Sequence, residues 1–259
     1  MPDAVPRRRV SPALIDDPAL EGYTMSAGTF VLPGRAAPRG RAASSGDARA
    51  VVDAVAERVR QHLAQQEVLF SLPVSVSARH IHVSREALDA LYGRGYELHP
   101  VKDLSQPGQY ASSETLTVVG PRLRSIGDVR ILGPCRAYTQ VELAPTDGRV
   151  LGLATLPIRE SGQLAGALSV TLVGPAGSLT APAAIRATRH VHASPEEARR
   201  VSVSPNQRVR VRVRGEAGVV LDNVLIRVHE RYRLDLHLDT DDANAAGLVG
   251  GEMVDVLRG

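Results

Sequence analysis

Hydrophobic and polar residues alternate in short runs along most of the chain from residue 74 onward, and Gly and Pro separate the runs. The clearest run, residues 208–214, reads RVRVRVR, and others read ETLTVVG, GALSVTLVG and YRLDLHL. Because the side chains of a strand point alternately to its two faces, this pattern predicts strands with one buried face. Many short strands with few helices are typical of an all-β barrel or sandwich. We therefore expect a mainly β fold.

A helical pattern precedes the strands. Residues 46–70 begin with GDARAVVDAVAERVRQHLAQQ, in which valines and a leucine recur at helical spacing. This spacing indicates an amphipathic helix, which either packs on the following domain or docks onto a partner. Residues 1–45 are rich in Pro, Ala, Gly and Arg and show little periodicity. We expect them to form a flexible N-terminal extension.

One eight-residue phrase occurs twice, as SARHIHVS at residues 77–84 and as ATRHVHAS at residues 187–194. In an extended segment the two histidines of each phrase point to the same side. Each phrase ends in a serine that precedes a helical pattern. Ser84 precedes REALDALYG, and Ser194 precedes PEEARRV, where Glu197 completes a capping box. Both copies therefore predict a strand, an H-x-H phrase and a capped helix.

The duplication continues downstream of the histidines. Residues 128–143 align with residues 223–238 without a gap, which places Glu142 opposite His237. Arg136 falls opposite an arginine in the same alignment. The chain is thus predicted to contain two related halves.

The boundaries of the two halves follow from the repeated phrases. We assign residues 71–180, including a linker, to the first half and residues 181–259 to the second. The first half is the longer one between the histidines and the aligned segment, and we place its additional residues at 92–109.

The duplicated positions form a candidate metal site. Imidazole is the commonest metal ligand in proteins, and three protein ligands with an open position are the pattern of catalytic zinc. Six such residues suffice for two ions, and a set without thiols suits zinc and also cobalt, manganese or iron. The candidate ligands are His80, His82, Glu142, His190, His192 and His237.

Two arginines are candidates for binding an anionic substrate near these ligands. Arg136 follows a Gly-Pro pair and leads into the run that carries Glu142, and Arg159 lies in the turn-rich PIRESG stretch that joins the halves. Guanidinium binds phosphate through a fork of two hydrogen bonds. Arg136 is also the candidate catalytic residue.

Composition excludes several classes of function. Tryptophan is absent and aromatic residues make up 3%, so a nucleic-acid site built on stacking is not expected. No apolar run approaches the roughly 18 residues of a membrane helix, and no secretory signal is visible. The single cysteine, Cys135, fits a reducing cytoplasm. No phosphate-loop or dinucleotide fingerprint supports ATP or NAD.

The motifs SARHIHVS, LGPCRAYTQVEL, PIRESGQLAG, SVTLVGPAGSL and ATRHVHASPEEA together resemble the phosphate propanoyltransferase family of phosphotransacylases, over residues 72–259. The resemblance implies two related β-barrels capped by short helices, with two metal ions, expected to be zinc, near their junction. It places the family's metal ligands on the six residues named above and its phosphate-binding arginine on Arg136. The implied reaction interconverts an acyl-CoA, either propanoyl-CoA or acetyl-CoA, and phosphate with an acyl phosphate and coenzyme A.

Two other functions remain open at this point. A metal-dependent hydrolase of thioesters or esters would use the same ligands and need no phosphate. A duplicated β-barrel that only binds a metal or an anion would need no turnover. For the transferase we expect phosphate itself to attack the thioester, without a covalent acyl-enzyme.

The resemblance also bears on location and partners. Many family members carry an N-terminal peptide that directs them into bacterial microcompartments, for example those of 1,2-propanediol degradation. Residues 1–66 are the place for such a peptide and for contacts with shell or cargo proteins. The expected location is the cytoplasm or a microcompartment within it. An exposed apolar helix would also favour a homo-oligomer.

Overall fold

The computed structural model describes residues 45–64 and 67–258. Short strands dominate these residues, which confirms the mainly β fold that the alternating pattern predicted. The predicted extension, residues 1–45, lies outside the described residues except for Ser45. The helices are α1 (Ser45–Ala64), α2 (Arg85–Tyr92), α3 (Pro145–Leu151), α4 (Pro195–Arg200) and α5 (Thr240–Ala245). The strands are β1 (Val68–Ser77), β2 (His80–His82), β3 (Pro100–Asp103), β4 (Tyr110–Val119), β5 (Ser125–Gly133), β6 (Gln140–Glu142), β7 (Ile158–Arg159), β8 (Leu168–Val173), β9 (Ser178–Ala187), β10 (His190–Ala193), β11 (Arg208–Val213), β12 (Val219–Val228), β13 (Asp235–Asp239) and β14 (Met253–Leu257).

The strands form two closed six-stranded barrels, as the family resemblance implied. The first barrel closes in the order β4, β5, β2, β6, β9, β8, with β3 beside β4 and β7 beside β9. The second closes in the order β11, β12, β10, β13, β1, β14. Corresponding pairs have the same direction: β2 and β5 are parallel like β10 and β12, and β2 and β6 are antiparallel like β10 and β13. The two barrels are therefore copies of one topology.

The two barrels exchange the strands that precede the two H-x-H phrases. β1 precedes the first H-x-H phrase in the chain but belongs to the second barrel, where it pairs with β13 and β14. β9 precedes the second phrase and belongs to the first barrel, where it pairs with β6 and β8. The boundary at residues 180/181 therefore runs through β9, and residues 71–77 lie in the barrel of the second half. The exchange joins the barrels directly in front of both histidine phrases.

The gap-free alignment of the halves is confirmed by strand register and backbone conformation. Glu142 is the cross-strand partner of His80, and His237 is the cross-strand partner of His190. The aligned residues Asp128 and Asn223 both adopt a left-handed conformation, with φ of 55° and 59°. Asp and Asn tolerate this conformation better than most residues.

Both helices that follow the histidine phrases begin as predicted. Ser84 accepts a hydrogen bond from the Ala87 backbone N–H at 3.1 Å, which caps α2. Ser194 and Glu197 form the reciprocal capping box of α4, with distances of 2.9 and 3.2 Å. Such a cap typically contributes about 1 kcal/mol. The caps fix the point at which the chain leaves each histidine strand.

The additional residues of the first half form β3 and the loop that follows it. Gln106 of this loop exchanges two hydrogen bonds with the backbone of Arg233 in the second half, at 3.1 and 3.3 Å. The corresponding stretch of the second half, between α4 and β11, contains no strand, which agrees with the predicted location of the additional residues at 92–109. They connect the two barrels at one side of the candidate site.

Each barrel encloses its own hydrophobic core. In β11 the valines are buried, whereas Arg212 and Arg214 form ion pairs with the buried carboxylate of Asp255 at 3.3 and 2.6 Å. The predicted half-buried strand is therefore correct, and these two arginines serve an internal carboxylate.

The apolar side chains of α1 are exposed, with values between 51 and 64% for Val51, Val52, Val55, Val59 and Leu63. Packing of this apolar face on the following domain and docking of it onto a partner both stay predictions. Within residues 45–64 and 67–258, no helix combines the length and the apolar character that a membrane crossing needs.

Candidate active site

The structure brings the six candidate ligands together as two groups of three. Within each group the potential ligand atoms all lie within 4.8 Å of one another. The first group comes from β2 and β6, and the second from β10 and β13. The groups are His80, His82 and Glu142, and His190, His192 and His237.

Strand geometry explains why three side chains converge in each group. The H-x-H phrase lies on a strand, so its two imidazoles share a face. The antiparallel neighbour places the third candidate directly opposite the first histidine. In both halves the Nδ1 atom of that histidine lies close to the carbonyl oxygen two residues earlier, at 2.9 Å for His80 and 2.7 Å for His190. A donated hydrogen bond there leaves Nε2 free for a ligand.

The first group is held by contacts with its one carboxylate. Glu142 lies 3.5 Å from Nε2 of His80 and 3.9 Å from Nε2 of His82. Burial would raise the pKa of Glu142, but His80 and His82 hold it well below its usual range. Burial would lower the pKa of His80, and the nearby Glu142 carboxylate reverses this and raises it. The group therefore favours an ionised glutamate.

The second group contains three imidazoles. Burial, followed by the neighbouring His237 and Arg227, lowers the pKa of His190 to about 3. Burial and the neighbouring histidines also place the pKa of His192 far below its usual range. Both imidazoles are thus neutral near pH 7, which is the form that binds metal ions.

Both groups fit a divalent metal ion. In the described part of the chain, neither ring nitrogen of His192 has a hydrogen-bond partner. A buried polar atom without a partner is costly, and coordination to an ion would satisfy it. Imidazole and carboxylate donors without thiols suit zinc and its first-row neighbours.

Arg136 points toward the same site from the loop before β6. Its Nη1 donates hydrogen bonds to Tyr138 Oη and Ser161 Oγ, both at 2.9 Å. Ser161 Oγ also accepts a hydrogen bond from Gln140 Nε2 at 2.9 Å. Because both contacts donate to the serine oxygen, its own hydroxyl proton is available to a ligand. Arg136 and Ser161 together make a donor pair suited to an oxyanion.

The structure does not bring Arg159 together with the other candidates. Its Nε donates to the carbonyl of Ala165 and its Nη1 to the carbonyl of Ile158, both at 2.8 Å. The side chain thus fixes the turn that carries Ser161. Substrate binding by Arg159 stays a prediction. The sequence analysis missed Ser161, two residues further on, because a serine in a turn carries no signal of its own.

A second residue that the sequence analysis missed is Gln140, which is fully buried in β6. Its Nε2 donates to Glu142 Oε1 at 2.6 Å, and its Oε1 accepts a hydrogen bond from the Gly162 backbone at 2.7 Å. Gln140 therefore links the carboxylate of the first group to the loop of Ser161. The alignment held the available signal, since Gln140 and Asp235 occupy matching positions two residues before Glu142 and His237.

A cavity of about 500 Å³ opens onto both groups. Its lining combines all five candidate-ligand histidines and Glu142 with the loop at residues 104–109, Arg136 and Ser161. The second half also contributes Arg227, His229, Arg231 and Tyr232 to the wall. This volume lies in the range of small-molecule sites and offers both metal ligands and anion donors to one bound molecule.

Comparison with known proteins identifies the kind of enzyme to which this cavity belongs. A family model described as phosphate propanoyltransferase matches residues 73–249. The chain belongs to the phosphate propanoyltransferase family. Both H-x-H phrases, Arg136 and all six candidate ligands lie within the matched residues, and the resemblance noted from the motifs is confirmed.

Several curated relatives carry the same name. The phosphate propanoyltransferase of Thermotoga maritima is 44% identical over 212 residues, which cover 80% of this chain and 99% of that protein. The one from Rhodobacter capsulatus is 46% identical over 188 residues, covering 72% and 86%. The one from Priestia megaterium is 45% identical over 205 residues, covering 79% and 94%. The chain is accordingly an acyltransferase with the phosphotransacylase activity of its family.

Proposed function

We propose that the chain is a metal-dependent phosphotransacylase that converts propanoyl-CoA and phosphate into propanoyl phosphate and coenzyme A, and that can accept acetyl-CoA. Each group of three ligands holds one divalent ion, with zinc as the favoured metal. The observation that carries this proposal is that two metal-ligand groups and the Arg136–Ser161 donor pair line one cavity. The names of the relatives support the propanoyl group.

Arg136 and Ser161 are the residues that hold phosphate. The guanidinium supplies positive charge and paired donors, and the Ser161 hydroxyl supplies one more donor. Gln109 Oε1 lies 3.5 Å from Nη2 of Arg136 and limits its rotation. Phosphate held in this way is a positioned reactant rather than a diffusing one, which lowers the entropic part of the barrier.

The two metal-ligand groups lie beside this phosphate position. When bound there, a divalent ion polarises a carbonyl oxygen and stabilises the negative charge that develops on it. In the reaction a phosphate oxygen forms a bond to the carbonyl carbon of the thioester, the carbon–sulfur bond breaks, and the sulfur of the departing coenzyme A takes up the proton that hydrogen phosphate loses.

Direct attack by phosphate is supported by the state of Cys135. This cysteine lines the cavity, and burial raises the pKa of its thiol. A protonated thiol is a weak nucleophile. The described residues around it thus favour transfer in one step over a covalent acyl-cysteine.

One assay separates the transferase from a thioester hydrolase. Zinc-loaded protein is supplied with propanoyl-CoA, with and without phosphate, and free thiol and acyl phosphate are followed. The proposal predicts thiol release that depends on phosphate and matches acyl phosphate formation. Thiol release at the same rate without phosphate would instead identify a hydrolase.

Location and assembly stay proposals of the same kind. A bacterial microcompartment is one candidate location, and self-association through residues 45–64 is supported by the exposed apolar side chains of α1. Chromatography of the full chain and of a Val52→Asp, Val59→Asp variant tests self-association. Identical elution of both as monomers would contradict it.

A further inference from the structure

The two metal-ligand groups contain the same number of carboxylates once their immediate neighbours are included. The first half reads Gln140-Val-Glu142 on β6, and the second reads Asp235-Leu-His237 on β13. Strand register places Gln140 opposite His82 and Asp235 opposite His192. The carboxylate is therefore the third ligand in the first half, whereas in the second half it occupies the position two residues before the third ligand.

The neighbour of each ligand has the hydrogen-bonding character that the ligand needs. Gln140 donates through Nε2 to the Glu142 carboxylate at 2.6 Å. Asp235, a pure acceptor, has Oδ2 3.2 Å from Nε2 of His237. A carboxylate ligand is steadied by a donor, and an imidazole ligand is steadied by an acceptor that takes its second N–H. Each half thus pairs its third ligand with a neighbour of complementary hydrogen-bonding character: the donor Gln140 with Glu142, and the acceptor Asp235 with His237.

Asp235 is an unusual residue to bury without a metal ion nearby. It is 4% exposed, and its one ion-pair contact among the described residues is His237. Ser75 donates to Oδ2 at 2.6 Å, while Oδ1 has no hydrogen-bond partner in the described part of the chain. A buried carboxylate without a guanidinium or ammonium partner is costly. An ion held by the three neighbouring imidazoles would supply the missing positive charge.

The unpartnered atoms point to the same place. Six buried side-chain nitrogen and oxygen atoms among the described residues lack a hydrogen-bond partner, and three of them are both ring nitrogens of His192 and Oδ1 of Asp235. A fourth, Nε2 of His237, lies 3.2 Å from Oδ2 of Asp235. Residues two apart on a strand share a face, so Asp235 lies on the side of β13 that carries His237. These four atoms thus belong to the second group of ligands and to the carboxylate beside it.

We infer that Asp235 is the positioning residue of the second metal ion. It orients the imidazole of His237, leaves one ring nitrogen for the ion, and balances the charge that Glu142 balances directly in the first half. This inference rests on the proposed metal dependence. It adds that the second ion needs a residue that is not itself one of the six ligands.

The test uses Asp235→Asn, which keeps the shape and the contact with Ser75 but removes the charge. The matched control is Asp255→Asn, because Asp255 is 5% exposed in the same barrel and also accepts a hydrogen bond from a serine, Ser71, at 2.8 Å. Both changes are made in the full chain and in a His80→Ala background, where the second group alone is intact. Zinc affinity is measured by competition with a chelator, and bound zinc by elemental analysis.

We expect two zinc ions in the unchanged chain and about one in the His80→Ala background. Adding Asp235→Asn there should weaken zinc binding by roughly 10- to 100-fold, the usual effect of losing such a partner. Adding Asp255→Asn should change the affinity by less than about twofold, even where it lowers thermal stability. Equal zinc affinity with and without Asp235→Asn, or equal losses in both variants, would overturn the inference.

A second pair of variants covers the case in which Asp235→Asn fails to fold. Glu142→His alone makes the first group three imidazoles without a carboxylate, and Gln140→Asp with Glu142→His copies the second half. The double variant should bind its first-half ion more tightly than the single one, and no gain would overturn the inference. Failure of the unchanged chain to bind two ions would instead refute the metal dependence, so the two failures are distinguishable.

Discussion

The guanidinium of Arg189 forms a two-pronged ion pair with the carboxylate of Asp242, in which Nε and Nη2 each lie 2.7 Å from a different oxygen. The equivalent residues of the first half, Arg79 and Asp147, form a single contact of 2.8 Å. These pairs explain why each copy of the repeated phrase has an arginine directly before its first histidine. It ties the segment before each histidine strand to the helix that follows the third ligand.

The two pairs should differ in their contribution to stability. Replacing Arg189 with Ala should lower the free energy of unfolding by about 2 kcal/mol, because two charge-assisted hydrogen bonds to a buried carboxylate are lost. Arg186 still contacts Asp242 at 2.9 Å, which limits the loss. Arg79 is half exposed, so Arg79→Ala should cost about 1 kcal/mol or less. Urea unfolding with chelator present measures both, and equal losses would contradict the distinction.

The two arginines that the sequence singled out should behave differently in catalysis. Arg136→Lys keeps the charge but removes the guanidinium fork, and we expect the KM for phosphate to rise roughly 10- to 100-fold. The KM for acyl-CoA should change much less. Arg159→Ala should act mainly through the turn that carries Ser161 and have the smaller effect on phosphate. Steady-state kinetics with each substrate varied measures this, and a larger phosphate effect for Arg159→Ala would contradict the assignment.

Much of this site follows from the sequence because the duplication aligns without a gap. The matched positions of Glu142 and His237, and the serine caps of α2 and α4, needed only local patterns. The strand exchange could not be predicted, because alternation shows which face of β1 or β9 is buried but not which barrel contains the strand. The roles of Gln140 and Asp235 depend on distances across strands, which no local pattern encodes.

The cavity cysteine provides a separate test of direct transfer. Cys135→Ala should retain activity within about threefold, since a protonated thiol takes no part in the reaction. Incubation with labelled propanoyl-CoA in the absence of phosphate should leave no label on the protein, as mass spectrometry would show. A labelled Cys135, together with an inactive variant, would establish a covalent intermediate instead.

Part of the stability that the fold loses at low pH should come from Glu114, which lies outside the cavity. Burial would raise the pKa of its carboxyl, but hydrogen bonds from His99, the backbone and Ser113 lower it from 4.5 to about 2. Because the folded-state pKa is the lower one, this stabilisation is present above pH 4.5 and is lost as the pH falls toward 2. Because the His99 side chain is 67% exposed, solvent screening reduces the contribution to about 1–2 kcal/mol.

Glu114→Gln isolates this contribution. The free energy of unfolding of the metal-free chain should exceed that of the variant near pH 6, and the difference should shrink as the pH falls from 4.5 to 2. Urea unfolding across this range measures it. A difference that stays constant with pH would show that Glu114 stabilises the fold by packing rather than by its charge.

The central claim is that two ions, one in each group of ligands, support phosphate-dependent acyl transfer. It is tested most directly by adding zinc back to chelator-treated protein in measured steps and following acyl phosphate formation from propanoyl-CoA and phosphate. The account predicts negligible activity without zinc and a plateau at two ions per chain. Full activity without added ion, or a plateau at one ion per chain, would contradict it.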